Sequence, residues 1–273
     1  MTFIDIGANL THESFKNDLD TALTNAKLAG VIHIIVTGTD LTSSIEANNL
    51  TKLNPSYLSS TVGFHPHAAD NVKESDFKRA IELIELKNVV AIGEAGLDYN
   101  RNYSSKKAQL KIFEQQLELA TQIKLPLFLH QRDAHLDFYP LLAKYRHRIV
   151  GGVVHCFTAS KEILDSYLDL DMHIGITGWI CDERRGQDLQ KIVHNIPENR
   201  LLIETDSPYL LPRTIRPKPK SRRNEPKFLP EVANSVSEHS AKTPEEIATI
   251  TTQNAITLFN LPIKDLTLKH PVD

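Results

Sequence analysis

A chain of 273 residues with a formal net charge of −3 has the length of one large domain, and its overall charge does not by itself select a polyanionic partner. Apolar residues at 41% and charged residues at 24% exclude a disordered chain, and no window offers the ~20 consecutive apolar residues of a bilayer span. With only Cys156 and Cys181 a disulfide framework is excluded, and both are expected to be reduced packing residues.

The amino terminus, MTFIDIGANLTHES, has no basic region leading into a long apolar run, so a cytoplasmic location is expected. From there, short β-rich runs at 3–6, 31–37, 58–63, 89–93, 125–129, 150–155, 173–177 and 201–205 alternate with longer amphipathic stretches. Alternation of this kind marks repeated βα units around a parallel sheet, and eight strands are what a closed barrel needs. The clearest helix spans 105–123, where Leu110, Phe113, Leu117 and Ala120 recur at helical spacing. The expected fold is therefore a single-domain α/β TIM (β/α)8 barrel over 1–262, followed by a tail at 263–273. One irregular stretch interrupts the rhythm: residues 213–227, after the eighth strand, carry seven basic side chains and one acidic one. Long loops in compact domains are usually functional or disordered.

Active sites in this architecture lie at the carboxyl ends of the strands. Strand three ends in His65 and His67, strand four in Glu94 and Asp98, and strand five in His130, Arg132 and Asp133. Strand six delivers His155, and strand eight delivers Glu204 and Asp206. A lone histidine after an apolar run is more often a hydrogen-bonded core residue. Glu94, His130, His155 and Asp206 come from four different strand ends, however, and two imidazoles with two carboxylates suit a divalent cation with positions left open.

These residues resemble a known family. DIGANLT at 5–11, GFHPH at 63–67, AIGEAGLDYN at 91–100, LHQRDAH at 129–135 and VVHCFT at 153–158 are similar to motifs of the TatD-type deoxyribonucleases, a branch of the metal-dependent hydrolases. GITGWICDERRG at 175–186, LIETDSPYL at 202–210 and SRRNEP at 221–226 complete the set, and the resemblance covers nearly the whole chain. It implies a TIM barrel and a cation-dependent DNase that works exonucleolytically and favours single-stranded ends. It also implies that Glu94, His130 and His155 are metal ligands, that Asp206 completes the site, and that His65 lies beside it. The wider superfamily opens with a His-x-His pair, whereas this chain has Asn9-Leu10-Thr11. Asn9 and Thr11 would make a weak second metal position, and such oxygens favour Mg²⁺ over Zn²⁺, with Mn²⁺ as a further candidate. Asn9 as a mere turn cap is an equal alternative.

Phosphodiester hydrolysis requires an activated water and neutralisation of phosphate charge, which a divalent ion supplies. In that scheme Asp206 takes a proton, Glu94 orients the ion, and His65 or Arg132 faces the phosphate. Glu204 points the other way along its strand, into the barrel or behind the ligands. For the DNA partner, Arg222 and Arg223 in the basic loop are the candidate phosphate contacts and Trp179 the candidate stacking surface. Rival readings are an amidohydrolase or esterase on the same barrel, which would show the missing His-x-His pair, and a vestigial nucleic-acid-binding relative.

Overall fold

The computed structural model describes residues 1–263, so the expected tail lies outside the described residues apart from Ile263, which packs partly against the core. Eight strands form one parallel sheet whose spatial order follows the chain: β1 (Phe3–Ala8), β2 (Val31–Val36), β3 (Leu58–Val62), β4 (Val89–Asp98), β5 (Leu127–Arg132), β6 (Gly152–Val154), β7 (His173–Ile176) and β8 (Leu201–Ile203). The helices that follow them are α1 (Leu19–Leu28), α2 (Leu41–Leu53), α3 (Glu74–Ile84), α4 (Lys106–Ile123), α5 (His135–Tyr145), α6 (Lys161–Asp169), α7 (Gln187–Ile192), α8 (Leu229–Glu238) and α9 (Pro244–Phe259). This is the expected TIM barrel, and every predicted β-run overlaps a strand. One large apolar cluster fills the space between strands and helices. A smaller one joins Ile4, Ile6, Ile35, Phe128, Val153 and Leu202 to Ala255 and Phe259 of α9.

β4 differs from expectation, because it continues five residues past its predicted end at 93. The apolar run stops there in the sequence, yet the ladder to β5 goes on, with one extra residue accommodated between Ile92↔Leu127 and Ala95↔Leu129. Such a bulge re-aims side chains near sites. Two glycines make it possible: Gly93 and Gly96 adopt φ of 150° and 145°, and a Cβ on Gly96 would run into the His130 carbonyl oxygen.

α4 shows why its sequence pattern was readable and what it conceals. Phe113, Leu117 and Ala120 are fully buried, and Ser105 caps the first turn by accepting from Ala108 N–H at 3.3 Å. The same buried side also carries two glutamines. Gln109 accepts from Asp98 N–H at 2.9 Å, and Gln116 accepts from Phe64 N–H at 2.8 Å. A helix thus pins the ends of β4 and β3 by their backbones, which a periodicity argument does not predict.

Between β8 and β1 the barrel closes differently from the other seams. Asp5, fully buried, accepts from Thr205 N–H at 2.9 Å and from Thr205 Oγ1 at 2.5 Å. Just beyond, Asp206 N–H donates to Gly7 O at 2.9 Å and Asn9 N–H to Ser207 O at 2.7 Å. Side-chain bonds from Asp5 and isolated backbone bonds take over where β8 stops, at Ile203. The basic stretch folds back over this seam, with buried Asn224 donating to Thr205 O at 2.9 Å.

Candidate metal centre

Glu94 sits at the β4 bulge, its backbone N–H held by Gly38 O at 2.7 Å and its side chain almost wholly buried. Three imidazoles converge on its Oε1: His155 Nε2 at 2.7 Å, His130 Nδ1 at 2.8 Å and His65 Nε2 at 3.3 Å. His130 Nδ1 and His155 Nε2 are 3.4 Å apart. Strands β4, β5 and β6 therefore bring three of the four expected ligands within contact of one another. The far nitrogens are engaged too. His130 Nε2 lies 3.2 Å from Asp98 Oδ2, and His155 Nδ1 faces Glu204 Oε1 at 3.4 Å, a charge contact without the alignment of a hydrogen bond.

His65 behaves differently from its neighbours. Its Nδ1 accepts from the His67 N–H at 3.0 Å, so in the neutral ring the proton sits on Nε2 and points at Glu94. The ring is set to donate. Asp206, at φ 53°, leaves the seam with Oδ1 accepting from Asn9 Nδ2 at 2.9 Å. Asn9, expected as a weak ligand or a turn cap, thus hydrogen-bonds the carboxylate expected to complete the site. Thr11 lies in the turn after β1, partly buried.

Electrostatics separate these groups. Burial opposes the charge on Glu94, but His155, His65 and the hydrogen bonds from His130 and His155 hold its carboxyl well below the ordinary range. His155 is held well above its ordinary range despite burial, because Glu94 and Glu204 face it. Burial pushes His65 down to about 4 against the pull of Glu94. Asp206 goes the other way: burial raises it to about 8, opposed by His155 and assisted by Glu94 and Glu204. Glu94, Asp98 and Glu204 buried beside partly buried Asp206 are costly without positive charge, and nitrogen and oxygen donors together fit a divalent cation. His65, Glu94 and His130 each offer a ligand atom within 4.8 Å of the others.

The expected substrate contacts fare unequally. Arg223 is committed to the protein: it donates to Asp18 at 2.8 and 2.6 Å, to Glu225 at 3.1 Å and to Ser14 O, and lies over the Phe15 ring. Arg222 is exposed. Trp179 is tied into its own loop, its Nε1–H donating to Arg185 O at 3.0 Å and its face covered by the Arg185 guanidinium at 4.4 Å. Neither arrangement is visible in the sequence: Asp18 is brought to Arg223 by tertiary folding, and the cover on Trp179 is set by the path of its own loop. Arg132 stands at the end of β5, partly buried, its carbonyl bonded to Tyr99 N–H at 2.9 Å. Cys156 and Cys181 are free thiols that burial pushes up to about 12 and about 11. Sequence reading placed His67 and Asp98 near the site without giving them work, yet they bond each other at 2.9 Å. No sequence signal marks this pair, because β4 reads as ending at 93 and the bulge at Glu94 breaks the strand alternation before Asp98.

Comparison with known proteins adds an independent line. The family described as TatD related DNase matches residues 4–260. Among curated relatives, the "3'-5' ssDNA/RNA exonuclease TatD" of Yersinia pseudotuberculosis is 47% identical over 257 residues, covering 94% of this chain and 99% of the relative. Its namesake from Edwardsiella piscicida is 46% identical over 258 residues with the same coverage. Of solved structures, a TatD family hydrolase from Entamoeba histolytica superposes with a TM-score of 0.85 at 30% identity, covering 95% of this chain and 98% of the other. The Escherichia coli TatD homologue YJJV gives the same TM-score and coverage at 28% identity.

Proposed function

The chain belongs to the TatD-related DNase family, and from that premise we propose that its barrel mouth hydrolyses phosphodiester bonds at the 3′ ends of single-stranded nucleic acid, using a divalent cation held by Glu94, His130, His155 and Asp206. It is a hydrolase acting on nucleic acid, an exonuclease. The observation that carries the site assignment is the meeting of His130 and His155 on one oxygen of Glu94 at 2.8 and 2.7 Å. Mg²⁺ is the proposed ion, because the second acid is paired with the Asn9 amide rather than a further imidazole.

When bound, the ion supplies charge for the phosphate oxygens and activates water. Asp206 accepts the proton of the attacking water; a cation beside it favours the ionised form that burial alone disfavours. His65, whose Nε2 proton faces Glu94 at 3.3 Å, would turn that proton to the reacting phosphate once Glu94 is engaged with a cation, which Glu94 would orient. Arg132 and exposed Arg222 meet more distant phosphates. Among the described residues no helix is long and apolar enough to cross a membrane, and the proposed place of action is the cytoplasm.

The test is a timed digestion of 5′-labelled single-stranded DNA and RNA with Mg²⁺. Stepwise shortening from the 3′ end is expected, with blunt duplex resistant and Glu94→Ala slower by at least ~100-fold. Turnover that survives both chelation and Glu94→Ala would falsify the metal-dependent reading.

A further inference from the structure

Asp98 takes no part in the reaction just described, yet it is 1% exposed and carries four hydrogen bonds. Oδ1 accepts from the backbone N–H groups of Asn100 and Arg101, each at 2.9 Å. Oδ2 lies 2.9 Å from His67 Nε2 and 3.2 Å from His130 Nε2. Its own backbone is fixed by Gln109, which accepts from Asp98 N–H at 2.9 Å and donates to Asp98 O at 3.1 Å. An ionised carboxylate offers acceptors to all four partners, whereas an amide would turn its NH₂ towards the two rings and a carboxylic acid its single O–H towards one of them.

The consequence falls on His130. This ring has a carboxylate on each side, Asp98 at Nε2 and Glu94 at Nδ1, and a neutral imidazole has one proton to offer. A proton kept at Nε2 leaves the Nδ1 lone pair facing Glu94 Oε1 and His155 Nε2, where a cation resolves the conflict. Resting on the reading that His130 is a ligand, we propose that Asp98 is a positioning residue: it holds the His130 proton on Nε2 and so selects Nδ1 as the atom presented to the metal. His67, whose ring packs edge-on to exposed Tyr103 at 4.7 Å, is the second donor that keeps the Asp98 carboxylate turned inwards. Carboxylate partners of ligating histidines typically alter metal affinity 10–100-fold when removed.

The full chain is used for the test. In wild-type protein labelled with ¹⁵N-histidine and loaded with Zn²⁺, His130 should carry its proton on Nε2 and the metal on Nδ1. Asp98→Asn, in which an amide NH₂ faces the two rings, should bind Mn²⁺ 10–100-fold more weakly by calorimetry while keeping its thermal midpoint within a few degrees. His67→Gln retains a donor for Oδ2 and should lose less than threefold. Metal on Nε2 of His130 in the wild type overturns the proposal without any variant, as does an Asp98→Asn protein of unchanged Mn²⁺ affinity. Wild-type protein that binds neither ion overturns the ligand reading itself, so the two failures are told apart.

Discussion

Arg222 and Arg223 are adjacent in sequence and opposite in situation. Arg223 joins the loop after β8 to the start of α1 through Asp18, whose carboxyl it holds below the ordinary range, and its guanidinium also covers Phe15. Asp18 is half-exposed, which screens the pair. Arg223→Ala is therefore expected to cost only about 1–2 kcal/mol of stability, read from urea unfolding. Arg222→Ala should leave stability unchanged and weaken single-stranded DNA binding, reducing the slope of log affinity against log salt by ~0.7. Equal stability losses in both variants would refute this division of labour. Residue type alone marks both arginines as phosphate contacts, because the sequence does not say that an aspartate two hundred residues away claims one of them.

At the scale of elements, β1, β4 and β8 carry what matters. The β8–β1 seam depends on Asp5, whose carboxyl burial raises to about 7, with the Thr205 hydrogen bonds opposing and Glu204 adding to the rise. Its folded pKa stands above the unfolded value of 3.8, so the folded state binds the extra proton between these limits. The stability this group contributes is complete below about pH 4 and is lost as pH rises through about 7. Asp5→Asn should flatten that decline, whereas Asp5→Ala, which leaves the Thr205 N–H unpaired, should cost about 2–4 kcal/mol near pH 4 and progressively less as pH rises through about 7. Urea midpoints from pH 4 to 8 check both. β4 makes a second prediction: Gly96→Ala forces a Cβ against the His130 carbonyl at φ 145°. A loss of about 1–3 kcal/mol is expected, together with weakened metal binding, since the clash displaces the strand that bears His130.

For the whole molecule, ligand linkage is the test that involves every element at once. A cation that binds only the assembled mouth stabilises the folded state by about 2.7 kcal/mol at a hundredfold excess over Kd. For a domain of this size that corresponds to a rise of roughly 5–10 °C in Tm on adding Mn²⁺. Glu94→Ala should show no such rise, and an equal rise in wild type and variant would place the ion elsewhere.

Strand number, the βα rhythm, the length of α4 and the strand-end positions of Glu94, His130 and His155, which the fold brings together, were legible along the chain. Each depends on local periodicity or on residues that directly follow an apolar run. The extension of β4 was not legible, because glycines and an inward acid erase the apolar alternation while the ladder continues. Nor were the capture of Arg223 by Asp18, the Arg185 cover on Trp179, or the carboxylate that Asp98 shares between His67 and His130. The second forms within one loop, and the others are pairings between side chains brought together only when the barrel closes. Sequence by itself determined which chemical groups stand at the strand ends; only the closed barrel decided which of them face the centre, which are consumed by one another, and which ring nitrogens meet Glu94.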